Sequence, residues 1–158
     1  MRAWVLGDNV DTDVLAPGRY MKLPVEAIAV HCLESLRPDF PREVRSGDFV
    51  VAGRNFGTGS SREQAPAALK HLGVAAVIAE SFAGLFYRNA LNLGLPALVC
   101  AAAREIRDGE RLAIDFGDAT ISTPRGSLRF EPIPPHLLAM VRDGGLLPHL
   151  EKRLKGNA

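Results

Sequence analysis

Residues 51–66, VAGRNFGTGSSREQAP, decide how this chain is read. An apolar strand over Asp48–Ala52 runs into a loop holding Gly53, Gly57 and Gly59, and Ser60, Ser61 and Arg62 then open a helix to about Leu72. The first turn of a helix carries N–H groups without internal partners and the positive end of the dipole. Glycines let a backbone approach a ligand closely, and two hydroxyls with a guanidinium fork add directional donors. Such a loop suits a ligand bearing carboxylates.

A purely structural reading fits some of the same residues. Ser60-Ser61-Arg62-Glu63 matches the capping box, in which the serine caps the glutamate N–H and the glutamate reaches back. Gly53, Gly57 and Gly59 exceed what a cap needs, and Arg62 in a first turn runs against the dipole's preference for acids. Pro66 lacks the N–H that would donate to the Arg62 carbonyl, so the helix either kinks there or begins near it.

Working outward, Arg2–Leu6 reads as a strand followed by a polar turn over residues 7–13. Pro24 opens a helix to about Leu36, with Val25, Ile28, Cys32 and Leu36 on one face. Gly73 closes the helix after the glycine loop, and Val74–Ala79 is a buried strand. Ser81 is placed to cap a helix carrying Phe82, Leu85, Phe86 and Leu93 inward, and Ala97–Cys100 is another strand.

Strand and helix alternating over residues 48–100 is the pattern of parallel, right-handed βαβ crossovers. Short strands at Arg111–Phe116, Ala119–Ser122 and Ser127–Phe130 are separated by Asp, Gly and Pro turns, so they form antiparallel hairpins. Short helices follow at about Pro135–Val141 and Leu146–Leu154. The expected fold is α/β, one domain over residues 1–158, with a parallel core and antiparallel flanking strands.

The 158 residues are 47% apolar and 23% charged with a net charge of +1, ordinary values for a soluble globular chain. No Lys/Arg cluster interleaved with aromatics suggests a nucleic-acid surface, and no apolar run is long enough to span a membrane. The opening MRAWVLGDN lacks the regions of a signal peptide, so the expected compartment is the cytoplasm. Cys32 and Cys100 read as buried thiols, and two cysteines cannot supply the thiolates an iron–sulfur cluster requires.

Three blocks, taken together, resemble the small subunit of 3-isopropylmalate dehydratase and its homoaconitase relatives, the swivelling β/β/α domain of the aconitase superfamily. They are Gly7-Asp8-Asn9-Val10-Asp11-Thr12-Asp13 through Pro17-Gly18-Arg19-Tyr20, the run from Gly53 through Ser60-Ser61-Arg62-Glu63, and Ala79-Glu80-Ser81-Phe82-Ala83 through Phe86-Tyr87-Arg88-Asn89-Ala90 to Gly94-Leu95-Pro96. They lie in family order at family spacing across nearly the whole chain. The resemblance implies dehydration and rehydration of a 2-hydroxy dicarboxylic acid, with a 4Fe-4S cluster on a separate large subunit and no cofactor on this chain. It thus implies a hetero-oligomer. Whether the isolated chain also self-associates stays open.

The resemblance also assigns roles. Ser60 matches the family's base, which removes the proton next to a carboxylate. A free serine hydroxyl is far too weak for that and must be stabilised as an alkoxide by surrounding donors. Ser61 and Arg62 match residues that hold a substrate carboxylate, and Asp13 matches an acid that supports the site across the subunit boundary. As a residue alone, Asp13 equally reads as a turn aspartate. Lys22 stands in the loop that sets substrate choice: isopropylmalate enzymes tend to be apolar there and homoaconitases tend to carry Arg. A lysine is neither, so both substrates and a simply solvated Lys22 remain open. Thr58, Gln64 and Gly84 depart from residues common in the family, and Gly84 weakens its helix by about 1 kcal/mol relative to alanine.

A reading from a different class makes the chain a non-catalytic anion-binding module using the same loop. A P-loop is disfavoured, because Gly-Thr-Gly-Ser-Ser-Arg lacks the Gly-Lys-Ser/Thr ending that reaches phosphates.

Overall fold

The computed structural model describes residues 1–156. Four strands, β1 (Ala3–Val5), β2 (Phe49–Ala52), β3 (Ala76–Ala79) and β4 (Ala97–Val99), pair in that order as a parallel sheet. The register sets Val50 beside both Trp4 and Val77, and Ile78 beside Leu98. Alternate side chains go to opposite faces. Trp4, Val50, Ala52, Val77 and Ala79 pack with Phe40, Phe56 and Leu69, while Phe49, Val51, Ile78 and Leu98 pack with Leu91, Ile121 and Met140. Every residue of β2 and β3 is therefore buried, which is why both read as continuous apolar runs.

Among the described residues seven α-helices accompany the strands: α1 (Thr12–Leu15), α2 (Val25–Ala29), α3 (Phe40–Glu43), α4 (Gln64–His71), α5 (Gly84–Asn92), α6 (Pro135–Arg142) and α7 (Leu146–Gly156). A separate antiparallel sheet joins β5 (Ala113–Asp115), β6 (Thr120–Thr123) and β7 (Gly126–Arg129). The parallel core and antiparallel flank expected from the sequence are both present. Among the described residues no helix is long and apolar enough to cross a membrane.

Five local expectations are corrected. The helix expected over Pro24–Leu36 stops at Ala29. Leu33 turns left-handed (φ +62°), buries its side chain and donates its N–H to the Val14 carbonyl at 3.0 Å, so a tertiary bond replaces the helical one. Leu36, released from the stripe, is 50% exposed, whereas Ile28 and Cys32 are buried as expected.

The helix after the glycine loop begins at Gln64, not Ser61. Pro66 thus falls in its first turn, where a missing N–H breaks no helical bond, and this is the nearby start that the proline allowed. Ser60 is not the cap: Glu63 precedes the helix and no side chain caps it. Ser81 does not cap α5 either. Ala83 holds that position, and the Ser81 hydroxyl accepts from the Asn55 N–H at 2.8 Å. Phe86 is buried on α5 as expected, but Leu85 points outward at 54% exposure.

Candidate active-site cleft

The loops that leave the carboxyl ends of β1, β2 and β3 are stitched together, the usual place for a ligand in a parallel sheet. Gly57 donates to the Val10 carbonyl at 2.7 Å and Thr12 donates to the Thr58 carbonyl at 2.9 Å, which binds the first loop to the second. Phe56 donates to the Ser81 carbonyl at 3.0 Å and Ala83 to the Phe56 carbonyl at 2.9 Å, which binds the second to the third. Two glycines make this possible. Gly57 (φ +83°) lies so close to the Phe86 ring that a Cβ would overlap it. Gly59 (φ +99°) turns the chain beside Thr12, whose Oγ1 donates to the Ser60 carbonyl at 2.8 Å.

At the base of the second loop a charge network fixes its entry. The Asp8 carboxylate accepts from Arg104 and from the Arg54 N–H at 2.7 Å, and these bonds hold its carboxyl below the usual carboxylate range. Arg104 pairs also with Glu80.

Ser60, Ser61 and Arg62 line one cleft of about 180 Å³ together with Thr12, Leu85, Phe86 and Asn89. Ser60 and Ser61 are exposed at its rim. The N–H groups of Gly59, Ser60 and Ser61 donate to no other group among the described residues, so three backbone donors stand free beside two hydroxyls. These donors come from the loop itself and not from the end of α4. The cleft is smaller than the roughly 300 Å³ at which small-molecule sites begin.

Arg62 ties Asp13 to this wall. Its Nη1 donates to Asp13 Oδ1 at 2.8 Å and to the Ala16 carbonyl at 3.0 Å, and its side chain is only 22% exposed. Asp13 also accepts from the Gly18 N–H at 2.9 Å. The Arg62 bond first, and the Gly18 bond next, hold the Asp13 carboxyl below its ordinary value. Asp13 faces a second hollow, about 300 Å³, that it lines with Pro17, Gly18, Arg19, Glu34 and Ser35.

Lys22 lines neither hollow. It sits exposed beyond a short 3-10 turn (Gly18–Tyr20), which is pinned by the Tyr20 ring stacked on His31 at 3.8 Å between centroids. Among the described residues its ammonium makes no ion pair. Four of the five candidate residues therefore converge and the fifth stands apart. Thr12 and Asn89 belong to the cleft without having been singled out. Both lie in blocks that carry the resemblance, so their position was visible but not their part.

The donor set on this chain does not fit an iron–sulfur cluster. Cys32 and Cys100 are both buried free thiols, and burial is the main influence pushing each thiol's pKa up, away from the thiolate that binds iron. Among the described residues no three His, Cys, Asp or Glu side chains are grouped to hold a metal ion.

Comparison with known proteins gives the family. The Aconitase C-terminal domain model matches residues 38–103, the segment containing β2, the glycine loop and β3. The chain is 49% identical to the methanogen homoaconitase small subunit of Methanothermobacter thermautotrophicus, over 97% of this chain and 91% of that one. It is 45% identical to the 3-isopropylmalate dehydratase small subunit of Syntrophus aciditrophicus, over 98% of this chain and 97% of that one. The crystal structure of a 3-isopropylmalate dehydratase chain from Methanocaldococcus jannaschii superposes with a TM-score of 0.93 at 40% identity, covering 99% of this chain and 95% of that one. The chain belongs to the small-subunit family of the 3-isopropylmalate dehydratases and homoaconitases.

Proposed function

We propose that this chain is the small subunit of a 3-isopropylmalate dehydratase, a hydro-lyase that interconverts 2- and 3-isopropylmalate by dehydration and rehydration in leucine biosynthesis. The observation that carries the reading is the gathering of Ser60, Ser61 and Arg62 in one cleft beside three backbone N–H groups that have no partner among the described residues, with Asp13 bonded to Arg62. The names carried by most of the similar small subunits support the substrate. The same names support a large subunit as partner. The 4Fe-4S cluster implied by the family is assigned to that partner, since the donors here do not fit it. The compartment assigned is the cytoplasm, in keeping with two buried free thiols.

In this reading Ser60 Oγ takes the proton from the carbon next to a substrate carboxylate. The oxyanion form of Ser60 is stabilised by the loop N–H donors, as at other oxyanion sites. Ser61 and the free face of the Arg62 guanidinium hold the carboxylate, and Asp13 fixes the guanidinium plane. As that C–H bond breaks, the hydroxyl on the adjacent carbon leaves, which the cluster assigned to the partner would assist as a Lewis acid, and a C=C bond forms. On rehydration Ser60 returns the proton to the carbon that lost the hydroxyl and hydroxide adds to the carbon that lost the proton, so the hydroxyl ends one position along the chain.

Two observations favour a second reading, a homoaconitase acting on homocitrate and homoisocitrate. The exposed Lys22 ammonium, which makes no ion pair among the described residues, is suited to a further carboxylate, and a homoaconitase small subunit is 49% identical. Co-purification with the large subunit, followed by steady-state rates on both substrate pairs, separates the two. The expected result is turnover of 2-isopropylmalate by the complex and none by the chain alone. Faster turnover of homocitrate would transfer the assignment. If Lys22 reads the substrate, Lys22→Val shifts kcat/KM toward the isopropyl side chain.

A further inference from the structure

A hollow of about 650 Å³ lies at the end of the parallel sheet opposite the cleft, where β1 and β2 begin. Its wall carries Arg2, Arg42, Arg45 and Arg111 against two carboxylates, Glu43 and Asp48. Among the described residues none of these four guanidinium groups has a carboxylate within ion-pairing distance. Gathering like charges without partners is unfavourable unless something else compensates them.

Asp48 does not neutralise the hollow from within. It is only 5% exposed, and its oxygens are committed to three N–H donors: Arg2 at 3.0 Å, Arg45 at 2.9 Å and the Trp4 indole at 3.1 Å. One buried carboxylate thereby clamps the backbones of two of the arginine-bearing residues. The Arg2 guanidinium lies 3.8 Å from the Trp4 ring centre, a cation–π contact that fixes its plane. Arg111 is brought alongside by an antiparallel bridge to Arg2. Asp39 and Asp108, whose fields reach Arg2, are bonded to Arg37.

We propose that this arginine-lined hollow is a second anion site, distinct from the carboxylate-binding cleft, for a compact ligand carrying two or more phosphate or carboxylate groups. Guanidinium forks bind both groups in two-point fashion, and preset forks lose less freedom on binding than mobile ones. Its place at the amino ends of the strands separates it from the reacting centre, so occupancy is a binding event and not a step of the reaction.

Calorimetric titration of the full chain at low salt tests this with two probes: inorganic pyrophosphate for phosphate sources and propane-1,2,3-tricarboxylate for carboxylate sources. At least one binds the wild type, and added salt weakens it. The double variant Arg42→Gln/Arg111→Gln, altered at two exposed side chains, weakens binding by roughly a hundredfold, about tenfold per guanidinium. Arg129→Gln, at an exposed arginine that lines neither hollow, leaves it unchanged. Independently of any variant, the bound probe shifts the amide resonances of Arg45, Gly109 and Arg111. Absence of binding by both probes at millimolar concentration, equal affinity in the double variant, an equal loss of binding with Arg129→Gln, or resonance shifts confined to Gly59, Ser60 and Ser61 would each overturn the proposal.

Discussion

Arg62 makes one nitrogen serve two purposes: Nη1 holds the Asp13 carboxylate and the Ala16 carbonyl, leaving the rest of the guanidinium for a ligand. Asp13 is 66% exposed, so the pair adds little to stability and its value is orientation. The pH consequence follows from the direction of the shift. The Asp13 carboxyl lies below its ordinary value, so its charged form is favoured in the folded protein. The pair is complete above the ordinary carboxylate pKa of about 3.9 and loosens only as pH falls through the lower folded value. The kcat/KM profile of the complex therefore shows no step from this carboxylate between about pH 5 and 7. Asp13→Asn, which keeps the shape and drops the charge, frees Arg62 to swing and lowers kcat/KM by roughly ten- to a hundredfold. A variant with wild-type kinetics would remove Asp13 from the account.

At the scale of elements, the glycine loop depends on the ring beneath it. Gly57 combines a left-handed φ of +83° with no room for a Cβ above Phe86. Gly57→Ala should cost about 2–4 kcal/mol, from strain and overpacking together. Urea denaturation read by circular dichroism measures this. An unchanged midpoint would show the loop to be loosely seated.

Which elements could be read from the sequence follows the same physics. Strands β2, β3 and β4 were legible because burial on both faces demands unbroken apolar runs, and Gly73, Gly94 and Pro96 punctuate them. Helix α2 was overextended because the 3.6-residue spacing of Ile28, Cys32 and Leu36 carries no trace of the Leu33 bond to Val14. The capping box failed for a like reason. Ser60 and Glu63 have the right identities, but the Ser60 carbonyl is taken by Thr12 and by the Arg62 N–H at 2.9 Å, which holds Ser60 ahead of the helix. The residues of the cleft were legible as a block, while the exposure of Leu85 and the part of Thr12 arise from contacts between loops distant in sequence.

At the scale of the molecule, the cleft faces solvent. Free N–H groups beside Ser60 would stabilise an oxyanion only weakly in water, where charge interactions are screened, and strongly once a second surface excludes it. The roughly half-sized cleft, the exposed rim serines and the Asp13–Arg62 pair fit the proposed site, in which a large subunit would supply the facing wall. The central claim is that Ser60, so enclosed, is the base. The direct test is turnover of 2-isopropylmalate by the reconstituted complex carrying Ser60→Ala, with binding of the two subunits verified. Because Ser60 is exposed and its side chain holds nothing in the fold, the variant should assemble normally while kcat falls by roughly a hundred- to ten-thousandfold, the range expected for loss of a general base. Turnover at the wild-type rate by that assembled complex would contradict the account.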